Sequence, residues 1–429
     1  MKLFSQATWV FADRAAFAVS IFATGALIAR CYGAQGFGLY VFVSAIAQTV
    51  LGAISVGAEV PFLRAFVGTT DTVARARLVR SLTRGLCMTA ACAGMLMFSA
   101  GLLYGHVAPS AQTGESSLQH MLWASSLTFV QLPWHAGEWR LRAHGASSRI
   151  SRIRVPALCV GFAAKVLVAD AGLPLPLMYA VISLEAAIVC VLLSAVAGRV
   201  EVQSAPVLEP DPSAVSLRRS DVLRQGLGSL ASVMFTRANA VMLGLVAGVD
   251  QAAAYGAAFA LVMAFDLVTN SVSSVALPQV LRDRSDEQTR LALFARLGRI
   301  YAGLSVLYVA GLVLLGDRLL VLVYGPSWDA AYWVLVVLGV SSLFTSSGAM
   351  RGLYINLIGR SDLHVANALL GLTALLPLSW VLSQHYGALG AAISMSIACA
   401  LNAIAASFLF EPTRVIGRIQ LRAFLPRIG

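Results

Sequence analysis

The sequence predicts an all-α polytopic membrane protein, with about twelve transmembrane helices in two six-helix lobes related by a parallel repeat. Three observations lead there. The 429 residues are 58% hydrophobic and only 12% charged, with a mean hydropathy of +0.78, whereas a soluble domain is about 25% charged. Apolar runs of about 20 residues, the length of helix that crosses a hydrocarbon core, recur along the whole chain. Barrel strands would instead be about 10 residues long and alternating. Finally, arginines gather in every second connection.

In chain order, spans are predicted near residues 9–30, 39–61, 85–107, 118–139, 155–171 and 177–197. Two more share residues 226–278, on either side of a short polar break at 249–251. The last four lie near 300–315, 330–350, 363–381 and 387–410. No small-residue cleavage site precedes the first run, so it is expected to stay as a helix. The connections after even-numbered spans carry the arginines: Arg64, Arg75, Arg77, Arg80 and Arg84 after span two, Arg140, Arg142, Arg149, Arg152 and Arg154 after span four, Arg199, Arg218, Arg219 and Arg224 after span six, Arg282, Arg284, Arg290, Arg296 and Arg299 after span eight, and Arg351 and Arg360 after span ten. The tail carries Arg414, Arg418, Arg422 and Arg427. The positive-inside rule therefore puts both termini on the cytoplasmic side of the membrane. Connections on the other side, such as CYGAQGFG, HVAPSAQTGESS and GDRLLVLVYGPSW, are too short to fold into a domain. That weighs against a membrane glycosyl polymerase or ligase.

Residues 199–225 are rich in proline and acid and read as a cytoplasmic linker. They separate a lobe at 1–198 from a lobe at 226–410, followed by a basic cytoplasmic tail at 411–429. At one constant offset Gly33 aligns with Gly248, Tyr40 with Tyr255, Arg84 with Arg299 and Gly172 with Gly387. Each glycine falls at an external turn, where the missing Cβ lets the chain reverse.

The net charge of +11 lies in the connections between apolar segments, as membrane topology requires, and no nucleic-acid partner is expected. The six cysteines form no CxxC pair and mostly sit in apolar runs, so they read as small packing residues. No G-x-x-x-x-G-K-[ST] loop, metal-ligand cluster or nucleophile elbow occurs. The chain is read as a non-enzyme that uses no cofactor and no metal, and ATP is not expected to drive its cycle directly.

The stretch ARCYGAQGFGLYVF, with Gly33, Phe37, Gly38 and Tyr40, resembles the R-x-x-G-x-x-x-[FY]-G-x-Y turn of polysaccharide flippases. AGVDQAAAYGAAFAL, LLVLVYGPSWDAAYWVL, LIGRSDLHVANALLGLTALL and HYGALGAAISMSIA resemble later landmarks of the same family, so the resemblance covers nearly the whole chain. The family is the Wzx-type polysaccharide branch of the multidrug/oligosaccharidyl-lipid/polysaccharide exporter superfamily. The resemblance implies a central, partly cationic cavity. It also implies translocation of an undecaprenyl-pyrophosphate-linked oligosaccharide from the cytoplasmic to the periplasmic leaflet. Implied partners are that lipid-linked oligosaccharide, membrane lipid, and a polysaccharide polymerase with glycosyltransferases. Many relatives carry an acid before a base in span seven. Here the segment reads Thr236, Arg237, Ala238, Asn239, without that acid, which leaves proton or sodium coupling open.

The charges inside the spans point to the chemistry, because an ionisable group at that depth costs several kcal/mol unless something solvates it. Arg237 is the leading candidate for substrate contact, since a guanidinium holds phosphate oxygens through two parallel hydrogen bonds. Asn239 and Asn270 add polar groups beside it. Asp266 reaches a similar depth, so an Arg237–Asp266 clamp is the alternative. Lys165 and Glu185 also match in depth across the turn at Pro174. Either they form a pair that holds the hairpin, or Lys165 meets a diphosphate while Glu185 tunes it. Arg14 would draw an anionic carrier to the cytoplasmic mouth or simply snorkel to the surface. Trp134, beside Pro133 and His135, would stack on sugar or sit at the interface. Asp266, Glu185 and Asp13 are the candidates for ion coupling. Together these features read as a flippase working by alternating access in exopolysaccharide, capsule or O-antigen synthesis. The alternative is an ion-coupled small-molecule antiporter of the multidrug type.

Overall fold

The computed structural model describes residues 2–69, 71–107, 115–201, 219–282, 287–358, 360 and 362–424. Most of the predicted linker therefore lies outside the described residues, as do the middle of the HVAPSAQTGESS connection and Arg427. Every regular element among the described residues is helical. Helices α1 (Lys2–Gly68), α2 (Thr72–Val107) and α3 (Glu115–Ser126) come first, and a 3-10 stretch, Leu127–Trp134, joins α3 to α4 (His135–Ala143). Then follow α5 (Ser147–Asp170), α6 (Leu175–Glu201), α7 (Arg219–Val246), α8 (Val249–Arg282) and α9 (Glu287–Tyr324). After α10 (Tyr332–Leu357) and α11 (Asp362–Ala400), a π-helical turn at Leu401–Ala405 leads into α12 (Ala406–Leu409) and α13 (Arg414–Ala423). Among the described residues, seven helical segments are long and apolar enough to cross a membrane. Two of them, Phe11–Gly68 and Asp362–Leu409, each hold two of the predicted spans.

Those two segments break at glycine. Gly33 interrupts α1 at φ 69° and Gly387 interrupts α11 at φ 54°. Gly172 and Gly248, at the α5–α6 and α7–α8 turns, sit at φ 63° and 91°. These are the four glycines singled out in the sequence, and all four occupy the left-handed region that a side chain disfavours. The turns are also tied in pairs. Tyr32, next to Gly33, donates its hydroxyl to the carbonyl of Leu173, next to Gly172, at 2.8 Å. Gln251, just after Gly248, accepts the amide of Ala388, next to Gly387, also at 2.8 Å.

Several helices outrun their predicted spans. The connection GDRLLVLVYGPSW, expected to be a loop, is helical as far as Tyr324, where Gly325 (φ 107°) turns the chain. Its apolar residues recur at helical spacing, and Leu320 and Tyr324 face inward, both buried. Arg75, Arg77, Arg80 and Arg84, expected in the connection between spans two and three, likewise sit on α2, which starts at Thr72. Part of the predicted tail is the helix α13.

By contacts the chain divides into two units, residues 1–233 and 234–429. Among the described residues, two clusters core the first. Phe62, Phe66, Leu86, Ala136 and Trp139 join α1, α2 and α4, while Leu141, Ile150, Val189 and Leu193 join α4, α5 and α6. In the second unit Phe294, Leu297, Tyr301, Met350, Leu353 and Ile416 knit α9, α10 and α13. Helices in lipid gain little from apolar burial itself and rely on close approach at small residues. Gly137 shows this: a Cβ there would collide with the backbone and hydroxyl of Ser194 on α6.

Gly387→Ala is expected to lower the melting temperature of the detergent-solubilised protein more than Gly172→Ala does. Both force a side chain into left-handed backbone at about 1–2 kcal/mol. At Gly387 the new Cβ also strikes Gln251, whereas at Gly172 it meets open space. Equal melting temperatures would mean that the tie between the turns adds no stability.

Candidate functional site: buried charges in each unit

Five charged side chains in the first unit form one continuous chain. Arg154 on α5 holds Asp13 of α1 through one terminal nitrogen and Glu138 of α4 through the other, each at 2.6 Å. Arg142, one helical turn beyond Glu138, takes the other Glu138 oxygen and Glu59 from the second half of α1, again at 2.6 Å. The inner members are enclosed: the side chains of Arg154, Asp13 and Glu138 are 13%, 14% and 11% exposed, against 47% for Arg142. Pro133 lies inside the 3-10 stretch, one residue before its end at Trp134, and α4 then presents Glu138 and Arg142 on one face at i, i+4 spacing. The chain holds three carboxylates and two guanidiniums. One Asp13 oxygen, Oδ1, is buried without a hydrogen-bond partner, as is Nε2 of nearby His135. A proton or small cation is the species that would balance the excess carboxylate.

Deeper in the same unit, Lys165 is 2% exposed. Its ammonium lies 2.6 Å from Glu185 and donates to the Thr24 hydroxyl at 3.0 Å, linking α5, α6 and α1. Gly161, one turn earlier on α5, makes the space: a Cβ there would overlap the Glu185 carboxyl group. In this conformation Lys165 and Glu185 are committed to each other. Arg14 is exposed. Trp134 is 40% exposed, and its carbonyl accepts the Ser194 hydroxyl at 2.9 Å.

In the second unit Asn239 is 1% exposed and its polar atoms are all engaged. It donates to the Tyr255 hydroxyl at 3.1 Å and to the Ala391 carbonyl at 2.9 Å, and it accepts from Ser394 at 3.5 Å. It clasps α7 to α8 and α11. Arg237 is half-buried on α7, close enough to Tyr255 to act on it electrostatically. Asp266 carries no ion pair among the described residues, and its charge reaches Tyr308 on α9 and Cys399 on α11. The Arg237–Asp266 clamp is therefore not formed. The side chain of Asn270 lies outside the described residues.

Arg351 was counted in the sequence as a loop charge, yet it lies inside α10 and is 5% exposed. No carboxylate pairs with it among the described residues. Its guanidinium instead donates to the backbone carbonyl of Asn402 and, at 3.1 Å, to the Asn402 side chain. Asn402 belongs to the π-helical turn, whose wider winding disturbs the regular backbone bonding. Nε of Arg351 has no acceptor. The sequence did hold a clue: Ser347 and Arg351 follow at i, i+4 on a serine-rich run, a pattern of one polar helix face rather than a loop. Among the described residues no group of three or more His, Cys, Asp or Glu is placed to hold a metal. All six cysteines are free, with Cys190 and Cys399 buried.

No family model matches the chain. By sequence it is 29% identical, over 138 residues, to the capsular polysaccharide biosynthesis protein CapF of Staphylococcus aureus. That stretch is 30% of this chain and spans 34% of the relative's length. By fold it is similar to the lipid II flippase MurJ in an inward closed conformation, with a TM-score of 0.72 at 14% identity, covering 99% of this chain and 91% of that one. It is also similar to an inward-facing multidrug resistance MATE family transporter of the MOP superfamily, with a TM-score of 0.69 at 15% identity and 96% of each chain covered. The fold is thus one that a lipid II flippase and a multidrug resistance transporter share.

Two outcomes are expected from this geometry. Arg154→Met should destabilise the protein by about 3–5 kcal/mol, because it strands two enclosed carboxylates; Arg142→Met, at a largely exposed position, should cost about 1 kcal/mol or less. Equal losses in thermal melts would refute the ordering. Lys165→Met should destabilise by a similar 3–5 kcal/mol, and adding Glu185→Leu should recover most of it, since an apolar pair replaces a buried ion pair at little cost. A double variant as unstable as the single one would show that the two residues are not coupled.

Proposed function

We propose that this protein is a multi-pass flippase of the bacterial inner membrane, with both termini cytoplasmic. It would move an undecaprenyl-pyrophosphate-linked oligosaccharide across the membrane by alternating access. One observation carries this reading: two independent comparisons converge, on a capsular polysaccharide biosynthesis protein by sequence and on a lipid II flippase by fold. The charges agree with an anionic cargo. Arg237 keeps partial exposure, and Arg351 is balanced by carbonyl oxygens instead of a carboxylate, so its positive field persists. Lys165 is paired in this conformation, and meeting the diphosphate would require it to leave Glu185. Asn239 supports the site as a clasp for Tyr255. Asp13, with its unpartnered oxygen, is the leading candidate for proton or sodium coupling, ahead of Asp266 and Glu185. Polymerase and glycosyltransferase partners would extend and supply the glycan.

The reading is tested with the full-length protein in proteoliposomes carrying a fluorescent lipid-linked diphosphate oligosaccharide. An outside reagent that destroys exposed fluorophore reports its movement. The wild type is expected to expose the inner pool and to leave a cationic dye untransported, while Arg237→Gln slows exposure about tenfold through loss of a charge-assisted phosphate contact. Transport of the dye without movement of the lipid would assign the chain to the antiporter class instead.

A further inference from the structure

Helix α13, Arg414–Ala423, divides sharply into two faces. On one, Ile416, Gly417 and Gln420 are buried. Ile416 is 0% exposed in the cluster with Phe294 and Met350. Gln420 donates to the carbonyls of Ser347 on α10, at 2.9 Å, and of Ala403 in the π-helical turn, at 3.2 Å. On the other, Arg414, Arg418 and Arg422 follow one another at every fourth residue, and all three are exposed. Among the described residues none of the three has an acidic partner. Val415 and Leu421, also exposed, flank the stripe on either side.

Position decides what this face meets. The last apolar segment ends at Leu409. Phe410 is extended, a single 3-10 turn follows at Glu411–Thr413, and α13 begins at Arg414. A helix pinned so close to the end of a span lies in the headgroup layer. There a row of guanidiniums between two apolar side chains is complementary to phosphate, which it holds by charge-assisted hydrogen bonds, while the apolar flanks enter the acyl boundary. We infer that α13 is a membrane-surface helix whose Arg414–Arg418–Arg422 stripe binds the headgroups of anionic phospholipids in the adjoining leaflet. Through Gln420 the bound helix braces the π-helical turn that holds Arg351. This does not depend on the cargo proposed above.

The test is hydrogen exchange of residues 414–423 in the full-length protein in nanodiscs. Three membranes are compared: zwitterionic phospholipid alone, the same with an anionic phospholipid, and the same with a lipid-linked diphosphate. Anionic phospholipid is expected to slow exchange by roughly fivefold for each engaged arginine. High salt should reverse the slowing, and Arg414→Gln, Arg418→Gln and Arg422→Gln combined should abolish it. Equal exchange in zwitterionic and anionic membranes would overturn the inference. So would slowing by the diphosphate lipid alone, which would make the stripe a cargo contact, or slowing that survives the triple substitution. If the triple variant does not accumulate, the three single variants carry the same comparison, each losing part of the slowing.

Discussion

The constraint on which this structure turns is that a charge taken out of water must be answered by something nearby. Isolated ions in a low-dielectric interior cost several kcal/mol each even after relaxation. The first unit answers with opposite charges: Arg154 and Arg142 with Asp13, Glu138 and Glu59, and Lys165 with Glu185. These contacts run between α1, α4, α5 and α6, so the ion pairs double as the cross-links of the helices. Their geometry depends on small residues that let the carboxylates in, as Gly161 does for Glu185.

The second unit answers differently. The Arg351 guanidinium rests on the Asn402 carbonyl and amide, and that carbonyl sits in a π-helical turn. A regular α-helix consumes each carbonyl in its own ladder, whereas a π-helical turn disturbs the ladder and gives an outside donor its opening. The departure from ideal helix and the buried arginine therefore explain each other. Gln420 from α13 uses the neighbouring Ala403 carbonyl in the same way.

The legibility of these features in the sequence follows their range. The glycine turns could be read because positive φ is a property of single residues: Gly33, Gly172, Gly248 and Gly387 all stand where they were placed. The Glu138–Arg142 pair was readable from its i, i+4 spacing. Arg154 with Asp13 was not, because 141 residues separate them and only packing brings them together. Depth counting across a short turn placed Lys165 opposite Glu185, but the same count put Arg237 opposite Asp266, where no pair forms. Counting fixes height along a helix and leaves rotation about its axis open. Asn239 was read as a polar group beside the cargo, and it is spent on Tyr255 and the Ala391 carbonyl. Arg351 was lost to a boundary error of a few residues, since a predicted span ending at 350 turns an enclosed cation into a loop charge.

The two ways of answering charge differ in what they leave behind. An ion pair cancels at a distance. Carbonyl dipoles stabilise a cation locally but do not remove its net charge, so the field survives beyond the first contact. Among the described residues, the ion-paired side chains of the first unit are Arg142, Arg154 and Lys165 against Asp13, Glu59, Glu138 and Glu185, an excess of negative charge. In the second unit Arg237 and Arg351 stand against Asp266, an excess of positive charge. A carrier of a diphosphate needs a cation that attracts without being neutralised beforehand, and it needs an acid able to take up a balancing ion. On the proposed reading, cargo affinity would draw on the second unit, where Arg351 rests on carbonyl oxygens, and ion coupling on the first, where one Asp13 oxygen has no hydrogen-bond partner.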